Sequence, residues 1–198
     1  MRATTGLGLA GLLVLLGPFV LAGCSDDDAG GSEAAPTSPV PVPEGVELTE
    51  LGSTVDIGDA AVASYMIGSQ RASVVEVTVS KVKRGKSCDF VGYQLDKSTA
   101  ASTPWYVDAQ MKALATEGEG PATLPVFGYD STDTFFPAAE VPSSFERCPP
   151  PETQPLREGE RVRGCLVFFV PPKATFEAVQ LRAQDGVDPI SWSVPEKG

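Results

Sequence analysis

Trp105-Tyr106-Val107-Asp108-Ala109-Gln110-Met111-Lys112 alternates in character along its whole length. In an extended chain successive side chains point to opposite faces. Trp105, Val107, Ala109 and Met111 therefore share one side, and Tyr106, Asp108, Gln110 and Lys112 the other. A period of two with one apolar face predicts an antiparallel strand with one side on a core and the other in water.

Similar segments recur on both sides of it, divided by Gly, Pro, Asp and Ser. Ser53 to Ile57 alternates and breaks at Gly58-Asp59, and Ala61 to Ile67 is a second candidate strand. Ala72 to Val82 is rich in valine, whose branched side chain suits a pleated surface, and it puts Val75, Val77 and Val79 on one face. Leu124 to Asp130 and Asp133 to Phe136 read as short strands around a turn at Asp130-Ser131. Arg161 to Val170 places Val162, Gly164, Leu166, Phe168 and Val170 together, with Val167 and Phe169 opposite. Glu158-Gly159-Glu160 supplies the turn into it, and Pro171-Pro172 ends it by removing ladder donors. Ala174 to Leu181 fits strand or helix, since Phe176, Val179 and Leu181 do not decide between them, and is read as a strand; Ile190, Trp192 and Val194 share a face in the last one. No segment holds a helical period over three turns. Many short strands at near-regular spacing predict an all-β fold, an antiparallel β-sandwich.

The order of these elements carries a resemblance. Gly52-Ser53-Thr54-Val55 is followed by the valine-rich strand, then by Trp105-Tyr106-Val107, then by the segment Leu156-Arg157-Glu158-Gly159-Glu160-Arg161-Val162-Arg163-Gly164-Cys165-Leu166-Val167-Phe168-Phe169-Val170-Pro171, and Ile190-Ser191-Trp192 closes. Residues 48–194 thus resemble the immunoglobulin-like extracellular domains of Gram-positive and actinobacterial lipoproteins, related to the small secreted immunogenic antigens of mycobacteria. The resemblance implies an immunoglobulin-like sandwich and transfers no catalytic residue.

The N-terminus points the same way. Arg2 precedes an apolar run from Gly6 to Ala22, and the run closes on Leu21-Ala22-Gly23-Cys24. The run is about 17 residues, at the lower edge for a membrane span, and it contains helix-weakening glycines and Pro18. It looks like a bacterial lipoprotein signal peptide ending in a lipobox, which implies a diacylglyceryl group on Cys24 and cleavage before it. Three regions are expected: a signal peptide over 1–23, a flexible Asp-, Gly- and Pro-rich tether over 24–47, and the sandwich over 48–198. The expected location is the extracytoplasmic face of the cell membrane, held by lipid. Two acyl chains suffice for stable anchoring without a basic patch.

Composition narrows the function. The chain carries a net charge of −11, and Arg2 is the only charge in residues 1–23, so the rest is one unit more negative. That balance opposes binding to nucleic acid or to anionic headgroups. The cluster Lys81-Val82-Lys83-Arg84-Gly85-Lys86 reads as a solvated strand end and turn. There is no histidine, which excludes Ser-His-Asp and Cys-His nucleophilic sites and imidazole-ligated zinc. No P-loop is present, and the one GxGxxG string, Gly6 to Gly11, lies in the apolar leader rather than after a strand. No cofactor or metal is expected. The leading expectation is a non-catalytic, membrane-anchored envelope module that binds a protein or ligand. The alternative is a carboxylate-dependent hydrolase or glycan-processing enzyme using Glu117, Glu119, Asp130 and Asp133. Tyr106, Phe127 and Tyr129 are the aromatics that a binding face would use.

Cys88, Cys148 and Cys165 remain besides Cys24. Outside the cytoplasm one disulfide is expected. Cys148 stands in the bend Phe145-Glu146-Arg147-Cys148-Pro149-Pro150-Pro151, just before the strand that bears Cys165. The resemblance, with its Phe-x-x-Cys-Pro and Cys-Leu-Val elements, implies a Cys148–Cys165 bridge worth about 3 kcal/mol in the loop-entropy account. Cys88 is then left over; it could instead pair with Cys148 or lie buried as a small apolar residue.

Overall fold

The computed structural model describes residues 40–67 and 71–195. The signal-peptide and lipidation readings, Cys24 included, lie outside these residues. The strands are β1 (Thr54–Val55), β2 (Ala60–Ile67), β3 (Arg71–Arg84), β4 (Thr103–Thr116), β5 (Val126–Asp130), β6 (Phe135–Phe136), β7 (Arg161–Val170), β8 (Phe176–Leu181) and β9 (Ile190–Ser193). A single 3-10 turn, Ser87–Phe90, and one short helix, α1 (Lys97–Ala101), interrupt them between β3 and β4. Asp96 caps α1 by accepting from the Ser98 and Thr99 amides at 2.8 and 3.2 Å. The Ser98 and Thr99 hydroxyls, and after them these amides, hold its carboxyl well below the usual carboxylate range.

The fold is an immunoglobulin-like β-sandwich. One sheet has the order β1-β9-β8-β5-β6 and the other β2-β3-β4-β7. Pairing is antiparallel with one exception: β1 runs parallel to β9, matching Thr54 to Ser191 and Val55 to Trp192. The inner faces follow the alternation of the sequence. Val75, Val77, Val79, Val107, Met111, Phe168, Val179, Leu181, Ile190 and Trp192 are fully buried in one core. Burial of each such side chain contributes about 1.5–3 kcal/mol. The Trp192 indole N–H is satisfied by the Asp59 carbonyl at 3.1 Å.

The outer face of the β2-β3-β4-β7 sheet departs from the expected pattern at both ends. At one end Val40 is 5% exposed and packs with Ala72 and Val74, flanked by Val42, Val46, Val62 and Met66. The flexible tether expected through residue 47 therefore gives way to packed chain by Val40. The valines between its prolines cover the second apolar face of β3, which Val74 begins. At the other end Tyr106 does not face water. It is 9% exposed and belongs to a second cluster with Phe90, Phe145, Cys148, Cys165 and Val167. Phe90 stacks on Phe145 with centroids 4.8 Å apart and meets Phe169 at 5.0 Å. The cover comes from two irregular segments remote in sequence, so the local alternation of β4 carries no sign of it.

Candidate functional site

The second cluster builds a cleft on the outer face of the sheet. Cys148 and Cys165 are bonded to each other with Cα atoms 4.9 Å apart. The bridge and the Cys165 N–H to Pro149 carbonyl bond, 2.9 Å, hold residues 148–149 along the edge of β7. The chain then crosses that edge. Pro151 lies where a Gly164 side chain would stand, 2.4 Å from the position of a Cβ, and Leu156 enters the main core.

Beside the bridge, the Ser87–Phe90 turn presents Asp89. Its carboxylate accepts from the Lys86 amide at 2.9 Å and from the Tyr106 hydroxyl at 2.9 Å, and pairs with the Arg147 Nε at 3.3 Å. Partial burial opposes charge on Asp89, but the two hydrogen bonds and the Arg147 guanidinium outweigh it and hold the carboxyl below its ordinary value. Burial, then the bond to Asp89, push the Tyr106 phenol well up, so its proton stays in place. Tyr106 also touches Gly85 closely: a Cβ there would lie 2.7 Å from the ring. Glycine lets the β3 end fold down over the tyrosine.

The resulting cleft, of about 480 Å³, is lined by Lys81, Lys83, Arg84, Lys86 and Arg147 around Asp89, Asp108 and Tyr106, with Cys88 and Cys165 at its sides. It adjoins a wider one of about 780 Å³ along β4 and β7, where Gln110, Glu152, Arg161 and Arg163 stand; Asp108 and Cys165 belong to both. Cys88 is a free, exposed thiol. The buried alternative for it does not hold, because the turn directs its neighbour Phe90 inward instead.

The four carboxylates singled out in the sequence lie elsewhere. Asp130 is 1% exposed and is engaged by the Thr132 amide and hydroxyl at 2.9 and 2.6 Å, shaping the β5–β6 turn. Asp133, at φ 57°, accepts from the Tyr129 hydroxyl at 2.6 Å. Glu117 and Glu119 are exposed in the turn after β4. None of the four lines the two clefts. Phe127 and Tyr129 are half-buried on the outer face of the other sheet. There Phe127 meets Phe135 edge-on at 6.0 Å, and the Arg182 guanidinium stacks over Phe135 at 3.9 Å. Among the described residues no group of three or more acidic or cysteine side chains is arranged to hold a metal ion, and no helix is long and apolar enough to cross a membrane.

The cleft was missed in the sequence because only half of it is local. The alternation Lys81, Lys83 marks the solvent side of β3, but Arg147 arrives from a loop more than 60 positions on, tied by the disulfide.

No family model and no curated protein match the chain. Its fold is similar to that of a secreted protein of Mycobacterium tuberculosis, MPT63, known from a crystal structure. The TM-score is 0.51 at 14% sequence identity, covering 74% of this chain and 100% of that one.

Proposed function

We propose that the chain is an exported, lipid-anchored lipoprotein whose sandwich serves as a non-catalytic binding module on the outer side of a bacterial cell membrane. The observation that carries the binding reading is the pair of joined clefts on the β3-β4-β7 face, walled by a disulfide-tethered segment and floored by Tyr106. A concave site with a few convergent polar groups on a rigid sheet is the ordinary setting for recognition. The Leu21-Ala22-Gly23-Cys24 sequence supports the anchor, and the fold shared with a secreted protein supports export.

Two measurements test the reading. Cells expressing the chain are fed labelled palmitate: label on the wild type and none on Cys24→Ala supports the anchor, and an unlabelled wild type removes it. A thermal-shift screen of the full chain against glycans and peptides tests the module. A ligand that raises the melting temperature, and loses that effect in Gln110→Trp, supports binding at the clefts. Turnover of that ligand into product would overturn the non-catalytic assignment.

A further inference from the structure

The basic cleft is an electrostatic exception in this molecule. Five cationic side chains line it against two carboxylates, a surplus of three positive charges in a chain whose net charge is −11. Of the two carboxylates, Asp89 is already committed to Arg147, Lys86 and Tyr106. Lys81, Lys83, Arg84 and Lys86 are exposed and make no ion pair among the described residues. Arg147 engages Asp89 through Nε, and its side chain is 64% exposed. Like charges gathered on an acidic molecule repel one another, and a concavity focuses their field on whatever anion enters.

Resting on the binding-module reading above, we propose that this cleft binds a phosphate ester. A phosphate monoester puts about −1.5 to −2 charges and three acceptor oxygens into a compact group, which matches a surplus of three charges better than a single carboxylate does. Lysine ammonium groups and an arginine held in place by a carboxylate are the donors that phosphate takes. A volume of about 480 Å³ admits the phosphate with the sugar or glycerol that bears it. Lys81 and Lys83, two apart on β3, stand about 7 Å from each other along the strand and grip one ligand from the same side.

The test is calorimetric titration of the full chain in detergent with glycerol 3-phosphate and with glucose 6-phosphate, for the wild type and for Lys81→Glu with Lys83→Glu. Both substitutions are on exposed positions, so folding is retained, and Arg157→Glu, exposed in the turn that bonds to Ala113 at the far end of β4 and outside both clefts, is the charge control. Binding is expected that weakens about tenfold or more in the double variant, stays the same in Arg157→Glu, and falls as salt rises from about 50 to about 300 mM. A parallel arm follows hydrogen exchange of residues 80–90 on vesicles containing phosphatidic acid, whose headgroup is a phosphate monoester, against phosphatidylcholine vesicles. Protection on phosphatidic acid alone, lost in the double variant, supports the same chemistry and identifies a lipid headgroup as its source; calorimetric binding without that protection identifies a soluble ester. Affinity equal in wild type and double variant, or no binding in either arm, overturns the proposal. If an uncharged ligand still binds in the thermal-shift screen, the phosphate assignment alone fails and the module reading stands.

Discussion

The Tyr106 hydroxyl donates to Asp89 Oδ2 at 2.9 Å and so joins the first part of β4 to the 3-10 turn 17 residues earlier. Tyr106→Phe keeps the ring and removes the bond. A bond to an ionised group is worth about 1.5–3 kcal/mol net, so the variant is expected to lose about 1.5 kcal/mol in urea denaturation at pH 7. Its pH dependence has a definite sign. Asp89 titrates below its ordinary value in the folded protein, so its contribution is complete above the unfolded value of about 3.9 and disappears as pH falls through the lower folded value. The gap between wild type and Tyr106→Phe is expected to hold from pH 7 to about pH 5 and to close in stronger acid. A gap that widens in acid would contradict this.

Removing the bridge with Cys148→Ala and Cys165→Ala is expected to cost about 3 kcal/mol, as closure of a loop of this size predicts. Neither cysteine belongs to the main core. The sandwich should therefore still unfold cooperatively, while amides of residues 87–93 and 142–148 exchange faster than those of β3 and β9. Uniform loss of protection would mean that the second cluster and the core are one cooperative unit.

Gly164→Ala places a methyl group 2.4 Å from the Pro151 nitrogen. Neither β7 nor the proline backbone can yield cheaply, and overpacking of this kind costs about 1–3 kcal/mol. Denaturation midpoints will show it. An unchanged midpoint would mean that residues 149–151 move freely away from the edge.

Trp192→Phe removes the donor to the Asp59 carbonyl and leaves space in a fully buried site. A loss of about 2–3 kcal/mol is expected from the orphaned acceptor and the missing ring together. Trp105 then remains as the sole indole reporter, which makes the measurement straightforward by fluorescence.

The inner surface of the sandwich was open to reading because the physics that forms it is local. Val75, Val77 and Val79, and again Ile190, Trp192 and Val194, alternate in the sequence and are buried together. Phe176 to Leu181, ambiguous between helix and strand, resolves as β8 because it pairs with strands on both sides. The outer surface was not readable in the same way. Tyr106 counts as polar in an alternation, yet Phe90 and Phe145 cover it from segments that a period of two does not describe. Val40 lies in a proline-rich stretch whose composition suggests an extended linker, and only the apolar outer face of β3 recruits it. The parallel β1–β9 pair joins residues more than 130 positions apart and leaves no local mark. For the site, Lys81 to Lys86 were visible as a charge run. Their meaning depends on Arg147, Asp89 and the depth of the cleft, which are properties of the folded chain.

The parallel β1–β9 pair also determines how the domain takes a pull. The Ser191 N–H bonds to the Ser53 carbonyl at 3.0 Å, continuing the pairing of Thr54 and Val55 with Ser191 and Trp192. In a parallel pair, tension between the chain entering β1 and the chain leaving β9 runs along the strands. The bonds between them are then sheared together instead of being opened one after another, as they would be in a hairpin. A force applied at those two points is therefore resisted by this short pair beside Trp192, whereas a pull from ahead of Val40 first meets the contacts of residues 40–49 with β2 and β3.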